Sequence, residues 1–260
     1  MPKYSIIIPV FNAADRITKV MDSVMNQEYE DFELILVCDS CKDKTIDTIK
    51  SHYIYPDEVP SKANFEKVSE AGNITKYKKD KTTIIISEVE FGNDGLSRSK
   101  GLDLATGEWV LFLDDDDWWL HEYCLSMIDQ AVEQVKDTKD LIQFGFIWKG
   151  YGYYPSSPNN KNKNGESFLY SNVWTKCFKR SFIGDTRFPN VHSVSDAKFM
   201  DEIMSKAPRI AYLDYPIYYY NWLREGSISQ KDRSKKEQEV HKVVATTTKS
   251  SSNKKMDWSM

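Results

Sequence analysis

The sequence predicts an α/β fold built on a parallel, doubly wound sheet, and three observations carry that prediction. Strand-like and helix-like segments alternate through the first half of the chain. The strand-like segments are continuous apolar, β-branched runs rather than alternating ones, as expected of strands covered on both faces. Four consecutive aspartates, Asp114-Asp115-Asp116-Asp117, follow directly on one such run. Ligands in open parallel sheets sit in the crevice at the carboxyl ends of the strands, and the aspartates fall at one of those ends.

Residues 4–10 are the first strand. Asn12 is placed to cap a helix, and Ile17, Val20, Met21, Val24 and Met25 then recur at helical spacing. Residues 32–37 are the second strand, followed by a polar turn and a helical stretch marked by Thr45, Ile46, Ile49 and Tyr53. Residues 56–81 are polar and read as irregular. The third strand is 83–89, a helix spans 96–105, and the fourth strand is 109–113. Helical spacing resumes through Leu125, Ile128, Ala131, Val132 and Val135, leading to a strand at 141–148 and a loop over 151–165. Residues 195–206 read as a helix, and 210–213 and 217–220 as two short strands.

A length of 260 residues suits one large domain or one with a small appendage, and 40% hydrophobic with 28% charged residues is ordinary for a globular chain. A net charge of −4 and a pI near 5.7 argue against a surface that coats polyanions. From Lys231 onward eight Lys/Arg face four Asp/Glu, which reads as a solvated, flexible or helical tail over 231–260. No apolar stretch is long enough to span a membrane and the chain enters a strand at once, so no leader peptide and a cytoplasmic location are expected. Cys38-x-x-Cys41 lacks a second pair of ligands at similar spacing, so all four cysteines read as reduced thiols.

Carboxylates as crowded as 114–117 repel each other and are best tolerated around something positive. If the strand runs on through them, Asp114 and Asp116 share one face. Two carboxylates there suit a hard divalent cation, which keeps positions open for water and phosphate oxygens. The competing reading is a cap for the helix that follows Trp118-Trp119-Leu120-His121-Glu122.

Several segments, in order, resemble the inverting nucleotide-sugar glycosyltransferases of family two, which have the GT-A fold. Ser5-Ile6-Ile7-Ile8-Pro9-Val10-Phe11-Asn12 is similar to the family's opening strand, and Ser23 with Asn26-Gln27 to the end of its first helix. The segment Val37-Cys38-Asp39-Ser40 through Thr45 is similar to its second turn, and Gly95 through Leu102 to its arginine-bearing segment. Thr106-Gly107-Glu108-Trp109 through Asp117 resembles its metal motif, and Val173 through Arg180, Arg187-Phe188-Pro189, Tyr212 through Tyr220 and Arg224 through Ser229 its acceptor half. Each segment is weak alone, and their order and spacing carry the resemblance.

The resemblance implies a GT-A domain over 1–230, a Rossmann-like, mainly parallel sheet flanked by helices with a smaller acceptor-side subregion. Residues 1–117 would form the half that binds the nucleotide sugar and 118–230 the acceptor half. Pro9 and Phe11 would line the nucleoside pocket and Asp39 would accept from the nucleobase; the competing role for Asp39 is that of a turn residue. Arg98, Asp114 and Asp115 would also serve the nucleotide sugar. Asp116, with Asp114, would ligate Mn²⁺ or Mg²⁺. Asp115 and Asp117 have a second reading, in the turn and the cap of the next helix. Asp196 stands where the family's general base is expected, with Asp201 and Glu202 behind it. Trp118, Trp119 and Trp174 are candidates to stack on the acceptor, or core residues.

Three departures stand out: Ser195 where the family usually has Glu, Cys38 where many members carry an aspartate, and a segment around Arg98 about two residues shorter than is common. The activity implied is transfer of a sugar from a nucleoside diphosphate, most simply a UDP-sugar, to a glycan, a lipid-linked intermediate or another hydroxyl, a hydroxylated nucleic-acid base included. Two alternatives remain: a non-catalytic module that binds nucleotide sugars, and a sugar nucleotidyltransferase. The latter would need a Gly-rich phosphate loop after the first strand, where Val10-Phe11-Asn12-Ala13-Ala14 stands.

Overall fold

A computed structural model describes residues 1–54, 65–156, 169–191 and 194–222. They form one mixed sheet, parallel at its centre. Strands β1 (Tyr4–Val10), β2 (Phe32–Asp39), β5 (Thr82–Val89) and β6 (Trp109–Phe112) make the parallel block, in the order β5-β2-β1-β6. Its side chains are buried on both faces, which is why each strand is a continuous apolar run. Ile6 and Ile8 pack with α1 (Ile17–Met25) and α4 (Cys124–Val135), whereas Ile7 packs on the other face with α3 (Asp94–Leu104) and α6 (Ser195–Ser205).

Beyond β6 the sheet changes character. Strand β10 (Lys176–Lys179), followed at once by the one-turn helix α5 (Arg180–Ile183), runs antiparallel between β6 and β8 (Leu141–Trp148), and β11 (Ile210–Tyr220) pairs parallel with β8. The short strand β7 (Trp118–Trp119) closes that edge on β11, and β9 (Gly152–Tyr154) pairs with β8. The two short strands expected at 210–213 and 217–220 are one strand, bent where its register with β8 shifts around Pro216. A proline gives no ladder N–H, so an irregular register is the natural way to keep the strand in the sheet.

Other expectations are corrected. The polar stretch at 56–81 contains a hairpin, β3 (Glu66–Ala71) and β4 (Ile74–Lys79), on the edge of β5. Every residue of β3 is exposed, so no apolar period marks it. Asn12 does not cap α1: it has φ +43°, its side chain accepts from the Lys42 N–H at 2.8 Å, and the helix starts at Ile17. The helical stretch at 45 divides into α2 (Thr45–Ile49) and a π-type turn over Lys50–Ile54. The fragment 224–229 and the tail over 231–260 lie outside the described residues.

One buried carboxylate ties the start of β6 to the centre of the sheet. Glu33 on β2 accepts from Ser5 Oγ (2.6 Å), Thr106 N (2.5 Å), Thr106 Oγ1 (3.0 Å) and Gly107 N (3.2 Å). These bonds fix the 106–107 turn and with it the point at which β6 delivers the aspartates.

Candidate active site

The carboxyl ends of β1, β2, β5 and β6 converge on one crevice. After β2, Asp39 is almost fully buried and organises the turn that leads into α3. Its Oδ1 accepts from Phe91 N (2.7 Å), Gly92 N (2.9 Å) and Ser40 Oγ (2.9 Å), and its Oδ2 from Asn93 N (2.9 Å) and Ser97 Oγ (3.0 Å). Burial works to raise its pKa, but these donors outweigh it and hold the carboxyl below its usual value. Asn93 then caps α3, its side chain accepting from Leu96 N at 3.0 Å.

The aspartate run is a turn rather than a continued strand. β6 ends at Phe112, and Asp117 N donates to Asp114 O at 3.3 Å. The carboxylates of Asp114, Asp115 and Asp117 therefore point to separate partners. Asp115 is held by Phe11 N (3.0 Å) and by the Arg16 guanidinium, whose Nη2 lies 3.0 Å from Oδ2. Asp117 is fully buried and accepts from Tyr218 Oη (2.6 Å) and Asn221 N (2.7 Å). It caps no helix, because β7 follows and α4 begins only at Cys124. Burial raises Asp117 well above its ordinary value, and the charges of Asp116 and Asp114 add to that. Asp116 is half-buried, and its carbonyl accepts from Asn221 Nδ2 at 3.3 Å.

Asp114 faces Arg98, and this pair joins the two sides of the crevice. Arg98 projects from α3, is 5% exposed, and donates to Asp94 (2.5 Å) and Asp114 (2.6 Å), with Asp196 at 3.5 Å. Burial works against its charge, yet Asp196, Asp114 and Asp94 outweigh it and hold the guanidinium well above its ordinary value. Burial pushes Asp114 up to about 7; Asp196 and Asp116 add like charge, and Arg98 acts in the opposite sense. Tyr218 Oη also accepts from Asp114 N at 3.2 Å, so one tyrosine braces both ends of the turn.

Asp196 lies in the first turn of α6, where a carboxylate is favoured by the helix dipole. Oδ2 accepts from Val173 N at 3.2 Å, while Oδ1 is buried towards Arg98 without a hydrogen-bond partner. Ser195 takes up a contact of its own, donating to Asp94 at 3.3 Å and so linking α6 to α3.

The sequence profile described as Glycosyl transferase family 2 matches residues 5–184. This chain belongs to that family. It is 28% identical over 236 residues to a poly(ribitol-phosphate) beta-glucosyltransferase of Bacillus spizizenii, covering 86% of this chain and 33% of the relative. It is 24% identical over 247 residues to glycosyltransferase GlyA of Streptococcus pneumoniae, covering 88% and 32%. The chain thus spans about a third of the length of these two relatives. Among solved structures, Staphylococcus aureus TarS 1–349 in complex with UDP-GlcNAc superposes with a TM-score of 0.68 at 21% identity, covering 94% of this chain and 66% of that one. A mannosyltransferase of Pyrobaculum calidifontis in complex with GDP-Man and Mn²⁺ gives 0.60 at 14% identity, covering 98% and 76%. At those identities the likeness establishes the fold, which is GT-A.

Within this family 2 chain, the crevice gathers Phe11, Asp39, Arg98, the aspartate turn and Asp196. Pro9 is half-buried near the end of β1, and Phe11 is 56% exposed just beyond it. Asp39 already accepts five hydrogen bonds, and a carboxylate offers about four lone-pair sites. A nucleobase would have to displace one of those donors. The three tryptophans are occupied by the protein itself. Trp119 and Trp174 are buried, Trp174 stacking on Tyr218 at 4.4 Å between ring centroids. Trp118 is half-buried, stacked on Tyr219 at 4.4 Å with the Lys19 ammonium 3.2 Å from its ring centre. Glu202 accepts from Thr186 Oγ1 at 3.0 Å, and both it and Asp201 are exposed on α6.

Arg16, Asp94, Lys176 and Tyr218 hold or neighbour the candidate residues, and sequence reasoning singled out none of them. Lys176 stood in a matched segment and Tyr218 in a conspicuous tyrosine cluster. Nothing in the sequence marks Arg16 or Asp94 apart from solvated charges.

Proposed function

We propose that this chain is an inverting glycosyltransferase, moving a sugar from a nucleoside diphosphate to an acceptor hydroxyl, with Asp196 as general base. The observation that carries the reading is the single Arg98 guanidinium that gathers Asp114, at the end of the donor-side strand, and Asp196, at the start of α6, in one crevice. Relatives whose names give glycosyl transfer, and a neighbour solved with UDP-GlcNAc, support it.

In this reading the acceptor hydroxyl gives its proton to an Asp196 oxygen as its own oxygen bonds to the anomeric carbon. The bond from that carbon to the diphosphate breaks on the opposite face, and both electrons leave with the nucleoside diphosphate. Val173 N–H and Arg98 hold the base in place, and Phe11 and Pro9 offer a wall to the nucleoside. Asp116, with Asp114, would hold a divalent cation. Crowding fits that assignment, because Asp116 adds to the upward shift of both Asp114 and Asp117. Among the described residues no group of three or more acidic, His or Cys side chains is arranged around a metal position. Mn²⁺ or Mg²⁺ would need only one or two protein carboxylates where substrate phosphates complete its shell. When bound, the cation supplies Lewis-acid stabilisation of the leaving diphosphate.

The test is Asp196→Asn assayed beside the unaltered protein for sugar transfer and for UDP binding, after thermal-shift screening of UDP-, GDP-, CDP- and dTDP-sugars with and without Mn²⁺. Loss of transfer with UDP binding kept supports the assignment. Near-normal turnover overturns the base. A protein that binds nucleotide sugars but neither transfers nor slowly hydrolyses them is the non-catalytic alternative.

A further inference from the structure

Lys176, on β10, is a buried amino group that the reaction above does not use; burial lowers its pKa well below the ordinary value, and the Asp196 carboxylate acts against that. No part of it reaches solvent. An ammonium in that position is tolerable only when each N–H is met. Its Nζ donates to the carbonyls of Tyr170 and Asn172, each at 2.5 Å, and to Thr175 Oγ1 at 3.1 Å. Three acceptors surround Nζ, as many as an ammonium has N–H groups.

All three acceptors belong to residues 170–175, so one side chain gathers that segment around itself. Two further bonds tighten it: Thr175 Oγ1 donates to Asn172 Oδ1 at 2.6 Å, and Lys176 N donates to Val173 O at 3.2 Å. The outcome is a backbone N–H, that of Val173, aimed at Asp196 Oδ2. Asp196 keeps 23% of its side chain exposed although Oδ1 is buried. Oδ2 is therefore the oxygen available to an acceptor, and it is the one whose direction Val173 sets.

We propose that Lys176 is a positioning residue for the Asp196 base: its three hydrogen bonds fix the 170–175 segment, and that segment orients Oδ2. The inference rests on the reading of Asp196 as base. A misplaced base costs turnover more than donor binding, because the donor side of the crevice is built from β1, β2, α3 and the aspartate turn. A shift on the order of 1 Å is enough for a loss of about 10- to 100-fold.

Lys176→Met keeps the bulk and removes the donors. Expected is a fall in kcat of about 10- to 100-fold, with UDP affinity and donor KM within about twofold of the parent. In an Asp196→Asn background, Lys176→Met should cause no further loss, since its effect runs through that carboxylate. An unchanged kcat, a parallel loss of UDP binding, or a full additional loss in the Asp196→Asn background overturns the proposal. If Lys176→Met does not fold, Thr175→Ala decides: it removes one acceptor and the tie to Asn172, and must show the same split between kcat and KM, more weakly. Failure of the base assignment is separate, because it appears as retained turnover in Asp196→Asn alone.

Discussion

The carboxylate of Asp196 lies 3.5 Å from the guanidinium of Arg98, which also pairs with Asp94 on its own helix and Asp114 on the aspartate turn. A planar fork reaches three acids in different directions, whereas an ammonium is a compact point charge on a flexible stem. Arg98→Lys keeps the charge and loses the fork. Turnover should fall by on the order of 10- to 100-fold with folding preserved, as read by steady-state kinetics beside a thermal melt. A variant with normal kcat would mean that the three-way clamp is dispensable.

Tyr218 braces the aspartate turn from the opposite side, donating to Asp117 and accepting from the Asp114 N–H. Removing the hydroxyl leaves a fully buried carboxylate that keeps the Asn221 N–H as a donor. Tyr218→Phe should cost about 1–3 kcal/mol of stability, measured by denaturant unfolding. It should also weaken Mn²⁺-dependent UDP binding, because the Asp114 backbone is released. An unaltered melt together with unaltered nucleotide binding would refute the bracing role.

Parts of this molecule were legible because physics writes them locally. Burial on both faces makes β1, β2, β5 and β6 continuous apolar runs, and four adjacent carboxylates mark a crowding of charge wherever they stand. The β3–β4 hairpin was hidden because its first strand is wholly exposed and carries no apolar period. Asp117 reads as a helix cap in sequence, yet its partners are Tyr218 and Asn221, about a hundred residues away. Lys176 was equally illegible: a lysine looks solvated until the fold wraps backbone carbonyls around it. Asp39 shows a third kind of limit, since motif and position point to a nucleobase contact while its donors are supplied by the turn at 91–93.

Two glycines set how closely the backbone can approach the centre of the sheet. A Cβ on Gly101 of α3 would come within 2.3 Å of Ile7 Cγ2, and one on Gly107 within 2.7 Å of the Ser5 backbone N and the Tyr4 carbonyl carbon. Alanine favours a helix over glycine by about 1 kcal/mol, which partly offsets overpacking of about 1–3 kcal/mol at Gly101. At Gly107 there is no offset, and the obstacle is backbone held by the Glu33 network. Gly107→Ala should therefore lower Tm more than Gly101→Ala. The reverse order in parallel melts would show that the 106–107 turn is more pliable than its hydrogen bonds imply.

The protonation of Asp114 predicts how stability follows pH. In the folded chain it titrates at about 7, chiefly because it is buried, against an unfolded value of about 3.9. The folded state therefore holds this proton more tightly than the unfolded one. Its stabilising effect is complete below about pH 4, fades as pH rises, and is gone above about 7. Asp117, also raised by burial, acts in the same direction. The Tm of the metal-free protein should fall between about pH 4 and 7, and Asp114→Asn should flatten part of that slope, leaving the share due to Asp117. Identical slopes in the two proteins would remove Asp114 as the cause. UDP with Mn²⁺ should narrow the difference as pH rises, because a cation takes the place of the lost proton among the crowded carboxylates.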